Sequence, residues 1–458
     1  MKKLIYIIVI CFGVYSCESK LDEYGINPNS PEGVTPGLLL SATQVASFST
    51  YSGQLGRLTN IFTQHTAGTV EGSQYLRFSN YDLTEGDFNN EWGGIYTDVL
   101  INSKTLIDQF GEGNPYYTGI SKIIIAFNLG VATDLWGDVP YSDALVGLEG
   151  NKAPVYDSQE SIIATIQTLC DEAIVSLKKN EGDNIFLPTS DDLIFGGDVE
   201  KWISAAYMLK ARYALRLSQI DEAKSIADAI AFLNLAGLTS NEDDMNAKFP
   251  DSGGNSRNQW IDFQNQRGNY MKMGKYFIDE MVNSSDPRLP FFATEDASKG
   301  YSGNAANDVE TTSTSDVGVA IAANTQDIGM LTYVEAKFIE AEAFFRDGSK
   351  VAEAQSAFEA AVSASLLKVV GEVDAGFVAS ATSELSLENI LVQKHIALFS
   401  SFEPYNDYRR TGFPQLVPNQ SSQTKVIPVR LPTPSDERNY NTNATVVSDI
   451  DVPVWWDK

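Results

Sequence analysis

The stretch Asp134-Leu135-Trp136-Gly137-Asp138-Val139-Pro140-Tyr141-Ser142-Asp143-Ala144-Leu145 constrains this chain more than any other. The apolar, alanine-bearing run from Tyr116 to Leu135 in front of it has the length and composition of a buried helix. Gly137 permits a bend that bulkier residues resist, and Pro140 keeps the helix from resuming there. Val139, standing before a proline, is held toward extended geometry. Trp136 and Tyr141 set large apolar faces on either side, and Asp138 and Asp143 are placed to accept turn or cap hydrogen bonds. Read from its residues alone, the stretch is a rigid corner without chemistry of its own.

The pattern around this corner is helical. Apolar spacing predicts helices at about 37–49, 52–66 and 87–110, with a loop from Gly68 to Gly86 between the last two. Ser158 to Lys179 keeps Ile162, Ile166, Leu169, Ala173 and Leu177 on one face. Asp198 is a candidate N-cap for a helix running through Trp202, Leu209, Tyr213 and Leu217, which pairs with Asp221 to Leu235 as a hairpin. A second hairpin joins Met330–Arg346 to Val351–Leu366 through Asp347-Gly348. Small residues line it (Ala336, Ala341 and Ala343, then Ala354, Ala357 and Ala361), and such closely packed pairs are similar to tetratricopeptide units. Leu238 to Gln326 differs. It is rich in Asn, Asp, Ser, Gly and Thr and has little helical period, which predicts a loop-rich lobe at about 238–326 carrying a functional surface.

The N-terminus is read as a processing signal. Lys2 and Lys3 precede an apolar run, Leu4 to Val14, too short to span a bilayer comfortably. Val14-Tyr15-Ser16-Cys17 resembles a bacterial lipobox, which makes 1–16 a signal peptide, Cys17 the lipid-attachment residue and 17–36 an anchor and tether. The acidic stretch Glu18 to Glu23 resembles the signal that sends some lipoproteins to the outer leaflet of the outer membrane. Cys11 leaves with the leader and Cys17 takes lipid, so Cys170 has no disulfide partner and stability must come from packing. With 33 basic against 60 acidic residues, a formal charge of −27, the surface repels nucleic acid and disfavours polyanionic ligands.

Several segments, in order, carry a family resemblance. They are Asn27-Pro28-Asn29-Ser30-Pro31, the corner "LWGDVPYSDAL", Asp286-Pro287-Arg288-Leu289, and the run Glu403 to Pro414 with its Arg409-Arg410-Thr411-Gly412. Ile427-Pro428-Val429-Arg430-Leu431 and Glu437 to Asn441 follow. Together they resemble the SusD/RagB outer-membrane lipoproteins, in their SusD-like branch. Tyr405 stands where that family often has tryptophan, and Pro432-Thr433-Pro434 lacks a usual tyrosine. The resemblance implies an all-α, SusD-like body over 37–458 with tetratricopeptide-type hairpins and a loop-rich second lobe. It also implies a cell-surface lipoprotein without catalysis that captures an oligosaccharide and hands it to a SusC-like TonB-dependent transporter. Arg409 and Arg410 are then paired buried arginines holding helix ends and carboxylates.

Chemistry is otherwise thin. The two histidines, His65 and His395, fall in helical patterns, and no HExxH, GxSxG, Walker loop or GxGxxG is present. Asp243-Asp244 and Asp183-Asn184 lack EF-hand spacing, so no metal and no cofactor is expected. Glycoside hydrolysis needs two carboxylates at a suitable separation, and 60 acidic residues single out no pair. A glycan needs flat aromatic faces and planar amides or guanidinium. The candidates are Tyr75, Arg77, Asn80 and Tyr81 in the first loop, then Asn258, Trp260, Tyr270 and Tyr301 in the lobe. Trp92, Tyr96, Trp136 and Trp202 are assigned to the core, while Trp455-Trp456 is either a ligand platform or a docking edge. Three other readings stand beside glycan capture: a RagB-like peptide-capturing lid, a helical-repeat protein scaffold, and a secreted glycoside hydrolase.

Overall fold

A computed structural model describes residues 34–252, 256–306, 308–309 and 313–457. The leader, Cys17 and most of the expected tether lie outside the described residues. Among the described residues helices dominate, and four short strands form two two-stranded ladders. In chain order the main helices are α1 (Pro36–Ser52), α2 (Gln54–Phe62), α3 (Ile101–Phe110), α4 (Pro115–Trp136), α5 (Gln159–Leu177), α6 (Val199–Arg216) and α7 (Glu222–Ala236). They continue as α8 (Gln259–Gln266), α9 (Lys275–Asn283), α10 (Tyr333–Asp347), α11 (Val351–Val369), α12 (Leu387–Ala397) and α13 (Glu403–Thr411).

The corner is built as its residues require. α4 is apolar almost all round, and nearly every residue from Tyr116 to Trp136 is buried, as in the core helix of a folded body. Gly130 lets α6 come close: a Cβ there would lie 2.1 Å from the Tyr213 hydroxyl oxygen. At Gly137 the backbone turns left-handed, with φ 82°, and Thr133 Oγ1 donates to the Gly137 carbonyl at 2.7 Å. Val139 then pairs with Asp157 in an antiparallel bridge, and Asp138 accepts from the Gln159 amide at 2.8 Å at the start of α5. Asp143 accepts from the Val155 amide at 2.9 Å, so both acidic residues of the motif serve turns.

Two helical hairpins extend this core, α6–α7 and α10–α11. Ala341, Ala354 and Ala361 are fully buried between α10 and α11, so the alanines permit close packing. Asp198 caps α6 by accepting from the Glu200 and Lys201 amides. α10 begins at Tyr333 and not at Met330, because Ile328–Leu331 forms a strand (β4) paired antiparallel with Met245–Ala247 (β2). The helical pattern at 87–110 is broken by a π-wound stretch, Gly94–Leu100. The segment from Gly68 to Gly86 holds a short helix, Gln74–Ser79, started by Ser73. The lobe at 238–326 is less irregular than its composition suggests, since it contains α8, α9 and two strands. One of these, β3 (Met271–Met273), pairs with β1 (Thr66–Gly68) and ties the lobe to the end of α2.

A seam of buried charge holds the helices together. Arg212 meets Glu335 through Nε and Nη2 at 2.7 and 2.6 Å, which couples α6 to α10. Arg216 meets Glu403 at 2.8 and 2.9 Å and Asp134 at 3.2 Å, joining α6, α13 and the end of α4. Arg410 engages both oxygens of Glu342 and also Asp407, while Lys394 reaches Asp407 at 2.7 Å. Arg409 donates to the Asp134 carbonyl at 2.7 Å, which satisfies an orphan acceptor in the last turn of α4. Both arginines of the Arg409-Arg410 pair are thus structural. Each carboxylate removed from water here is answered by a guanidinium or ammonium, the arrangement that makes such burial tolerable.

Candidate ligand-binding site

The site is organised by Asn258, which caps α8. Its Oδ1 accepts from the Trp260 amide at 2.7 Å and the Ile261 amide at 3.4 Å. Its Nδ2 donates to the carbonyls of Ile321 and Gln326 at 3.0 and 2.7 Å, fixing the helix start against the far end of the lobe. Trp260 points inward and is fully buried, edge-on to Phe399 with ring centroids 5.6 Å apart. Gln259, Asp262 and Gln266 line the other side of the helix, at i, i+3 and i+7, and face a recess of about 940 Å³.

Across from α8 stand Val45 and Ser49 of α1, with Leu193, Lys248, Pro250 and Asp327 completing the wall. Phe48 and Phe249 form an apolar floor, edge to face at 6.4 Å. A recess of this size, apolar beneath and bordered by amides and carboxylates, has the makeup of a small-molecule site. Asp262 accepts from Gln266 Nε2 at 2.6 Å. Burial pushes the Asp327 carboxyl up from its usual range, with the Lys248 charge pulling the other way.

Of the residues singled out from sequence, Asn258 and Trp260 belong to this element but face away from the recess. Their assignment as ligand contacts is corrected to one of positioning α8, because both are fully buried and Asn258 is committed to backbone partners. Tyr75 is also buried. It accepts from Arg57 Nε at 2.7 Å, and Arg57 Nη1 reaches the Gln259 carbonyl at 3.2 Å, so Tyr75 supports α8 from behind. Tyr81 is 5% exposed; its hydroxyl accepts from the Asn419 amide at 3.0 Å and is pushed by burial to about 12. Asn80 accepts from Asn419 Nδ2, and Arg77 binds Asp87 at 2.7 Å. Tyr81 and Asn80 therefore pin their segment to the chain around Asn419, while Arg77 ties it to Asp87. Tyr270 and Tyr301 are half-buried in the lobe, and neither lines the recess.

The recess residues Phe48, Phe249, Gln259, Asp262, Gln266 and Asp327 were not singled out from sequence. A signal existed in α8, where polar residues at i, i+3 and i+7 oppose Trp260, but the glycine- and serine-rich flanks masked so short a helical period. Phe48 and Phe249 lie far apart in sequence and meet only in the fold. Elsewhere, Trp456 is buried against Arg409 and Arg216, with ring centroids 4.6 and 5.2 Å from the guanidinium carbons, which makes it neither platform nor docking edge. His65 and His395 stack at 3.8 Å in the core, and burial pulls both rings down, His395 to about 4.

A helical-repeat body that holds a ligand-sized recess against a loop-rich lobe defines a class of binding protein. Comparison with known proteins makes this specific: the sequence profile described as SusD-like, "Starch-binding associating with outer membrane", matches residues 28–434, and the chain belongs to that family. Among solved structures it is similar to a chitin-binding protein at 25% identity and TM-score 0.78, covering 93% of this chain and 100% of the other. It is similar also to a chitin-binding SusD homologue from Flavobacterium johnsoniae (20% identity, TM-score 0.79, 92% and 98% covered). A SusD/RagB family protein from Bacteroides thetaiotaomicron matches at 22% identity and TM-score 0.75, with 93% and 99% covered. A comparison with curated proteins returned no match.

Proposed function

We propose that this protein is a lipid-anchored, outward-facing outer-membrane binding protein that captures an oligosaccharide in the recess between α1 and α8. It then delivers the glycan to a SusC-like TonB-dependent transporter. The observation that carries the reading is the recess itself: an aromatic floor from Phe48 and Phe249 under a wall of Gln259, Asp262 and Gln266. Aromatic carbon suits the C–H faces of a pyranose, and side-chain amides suit its hydroxyls. Family membership supports the same role, and the chitin-binding neighbours make β-linked N-acetylglucosamine oligomers the first glycans to try. Signal cleavage before Cys17, acylation of that residue and the tether over 17–36 belong to the same proposal, as does the division into a helical body and a lobe. Arg77, Asn80, Tyr270 and Tyr301 take a lesser part, as contacts for a glycan long enough to leave the recess.

The test is binding to a panel of immobilised glycans, with product analysis of the bound sugar and recovery of membrane partners from native membranes. Saturable binding with intact sugar, an acylated N-terminus at Cys17 and co-recovery of a large β-barrel support the proposal. Release of shortened sugar would point to a hydrolase, and binding of peptides in place of glycans to the RagB-like alternative.

A further inference from the structure

Two carboxylates line the recess without a direct ion pair: Asp262, beside Gln266, and Asp327, which feels the charges of Lys248 and Lys368 only at a distance. Among the described residues neither Asp262 nor Asp327 makes an ion pair, whereas nearby Asp251 meets Arg257 at 3.0 Å and Asp316 meets Lys272 at 2.9 Å. The cation among the lining residues, Lys248, directs its Nζ to the Ile194 carbonyl at 2.7 Å. The contrast with the helical body is sharp, because there every buried carboxylate of the seam has a guanidinium or ammonium partner. A carboxylate held beside an apolar floor is poorly solvated, and it gains from a ligand that brings a positive charge. An anionic ligand would meet these two charges, the scarcity of free cations in the wall, and a chain of net charge −27.

We infer that the recess selects amino sugars bearing a free ammonium over their neutral and acidic counterparts, with Asp262 and Asp327 as the acceptors of that ammonium. The selectivity rests on the glycan-capture reading above, and it adds a charge rule that the family assignment does not contain. The geometry divides the work. Phe48 and Phe249 meet the ring face whatever the substituent, while the carboxylates read the group at the amine-bearing carbon.

The test uses full-length protein and titration calorimetry at mildly acidic pH, with tetrasaccharides of glucosamine, N-acetylglucosamine and galacturonic acid. Charge-assisted hydrogen bonds at a half-buried site predict that the glucosamine oligomer binds about tenfold tighter than the N-acetylated one. The galacturonic acid oligomer is expected to bind weakest, and the preference to shrink as salt is raised. In the double variant Asp262→Asn, Asp327→Asn, the ratio of the affinities for the charged and neutral oligomers falls to about one, whatever the change in either affinity. A preference that survives both substitutions, or a uronate that binds as tightly as the ammonium sugar, overturns the charge rule. Equal affinity for the charged and neutral oligomers overturns it while leaving glycan capture intact. Failure of all three sugars to bind the wild-type protein overturns both.

Discussion

The helical seam and the recess use the same residue types to opposite ends. In the seam, Glu342 sits between Arg410 and the partly exposed Arg346, and Glu403 between Arg216 and Arg212, with both carboxylates sealed from water. In the recess, Asp262 and Asp327 stand half-open to solvent without an ion pair among the described residues, Asp262 held by Gln266 and Asp327 under the more distant charges of Lys248 and Lys368. A buried carboxylate that is paired on several sides becomes a fastener between helices. One left unpaired beside an aromatic floor is free to take its partner from a ligand. The difference lies in partners and water, and it predicts that variants in the two regions will separate stability from binding.

The largest effect is expected in the seam. Arg410→Ala leaves Glu342 and Asp407 buried with one cation fewer, and it is expected to cost about 3–5 kcal/mol in chemical denaturation. Molecules that remain folded should bind glycan normally. Trp260→Ala, on the inner face of α8, is expected to cost about 3–5 kcal/mol through the cavity it leaves beside Phe399. Its melting temperature should fall more than its affinity; a variant with full stability and no binding would place Trp260 in the site after all. Gly137→Val combines a left-handed φ with a Cβ 3.3 Å from Arg430 Nη2, and a loss of about 1–3 kcal/mol is expected in the same assay.

A smaller effect separates the two regions by pH. Burial keeps His395 neutral down to about 4, and burial together with the neighbouring His395 holds His65 well below the 6.5 of a free imidazole. Their folded values are depressed, so the unfolded chain takes up protons first. The stability they confer is full above pH 6.5 and is lost as pH falls toward 4. Glu403 follows further down: burial pushes it up, but Arg216 and Arg212 more than offset this and hold it at about 2, so its contribution fades from 4.5 toward 2. Melts across this range should therefore decline in two stages, the first absent from a variant in which both histidines are replaced by a neutral residue that retains the fold.

The seam was more legible in the sequence than the recess, and the reason is physical. The corner at Gly137, the alanine-lined hairpins and the Arg409-Arg410 pair are local patterns whose packing partners are dictated by helical period. The structure contains each of them, with α10 starting at Tyr333, three residues after its expected beginning. The recess is assembled from residues on α1, the chain after β2, and α8, so no single window of sequence contains it. Loop aromatics misled for a related cause. Tyr75 and Tyr81 sit in a polar, glycine-bounded segment that reads as exposed, yet their hydroxyls accept hydrogen bonds from Arg57 and Asn419 and their rings enter the core. A tyrosine in a loop can be an anchor as readily as a platform.

The division of labour between seam and recess is tested most directly at Val45. This residue is 54% exposed, lies on the α1 wall of the recess and contributes little to the core. Val45→Trp sets a large ring into the mouth without disturbing any charge of the seam. Calorimetric titration with an N-acetylglucosamine oligomer, paired with a thermal melt, should show binding to the wild-type protein and at least a tenfold weaker affinity in the variant. The two melting temperatures should agree. Unchanged affinity in a variant that melts normally would contradict the account, because the glycan would then be held somewhere other than between α1 and α8.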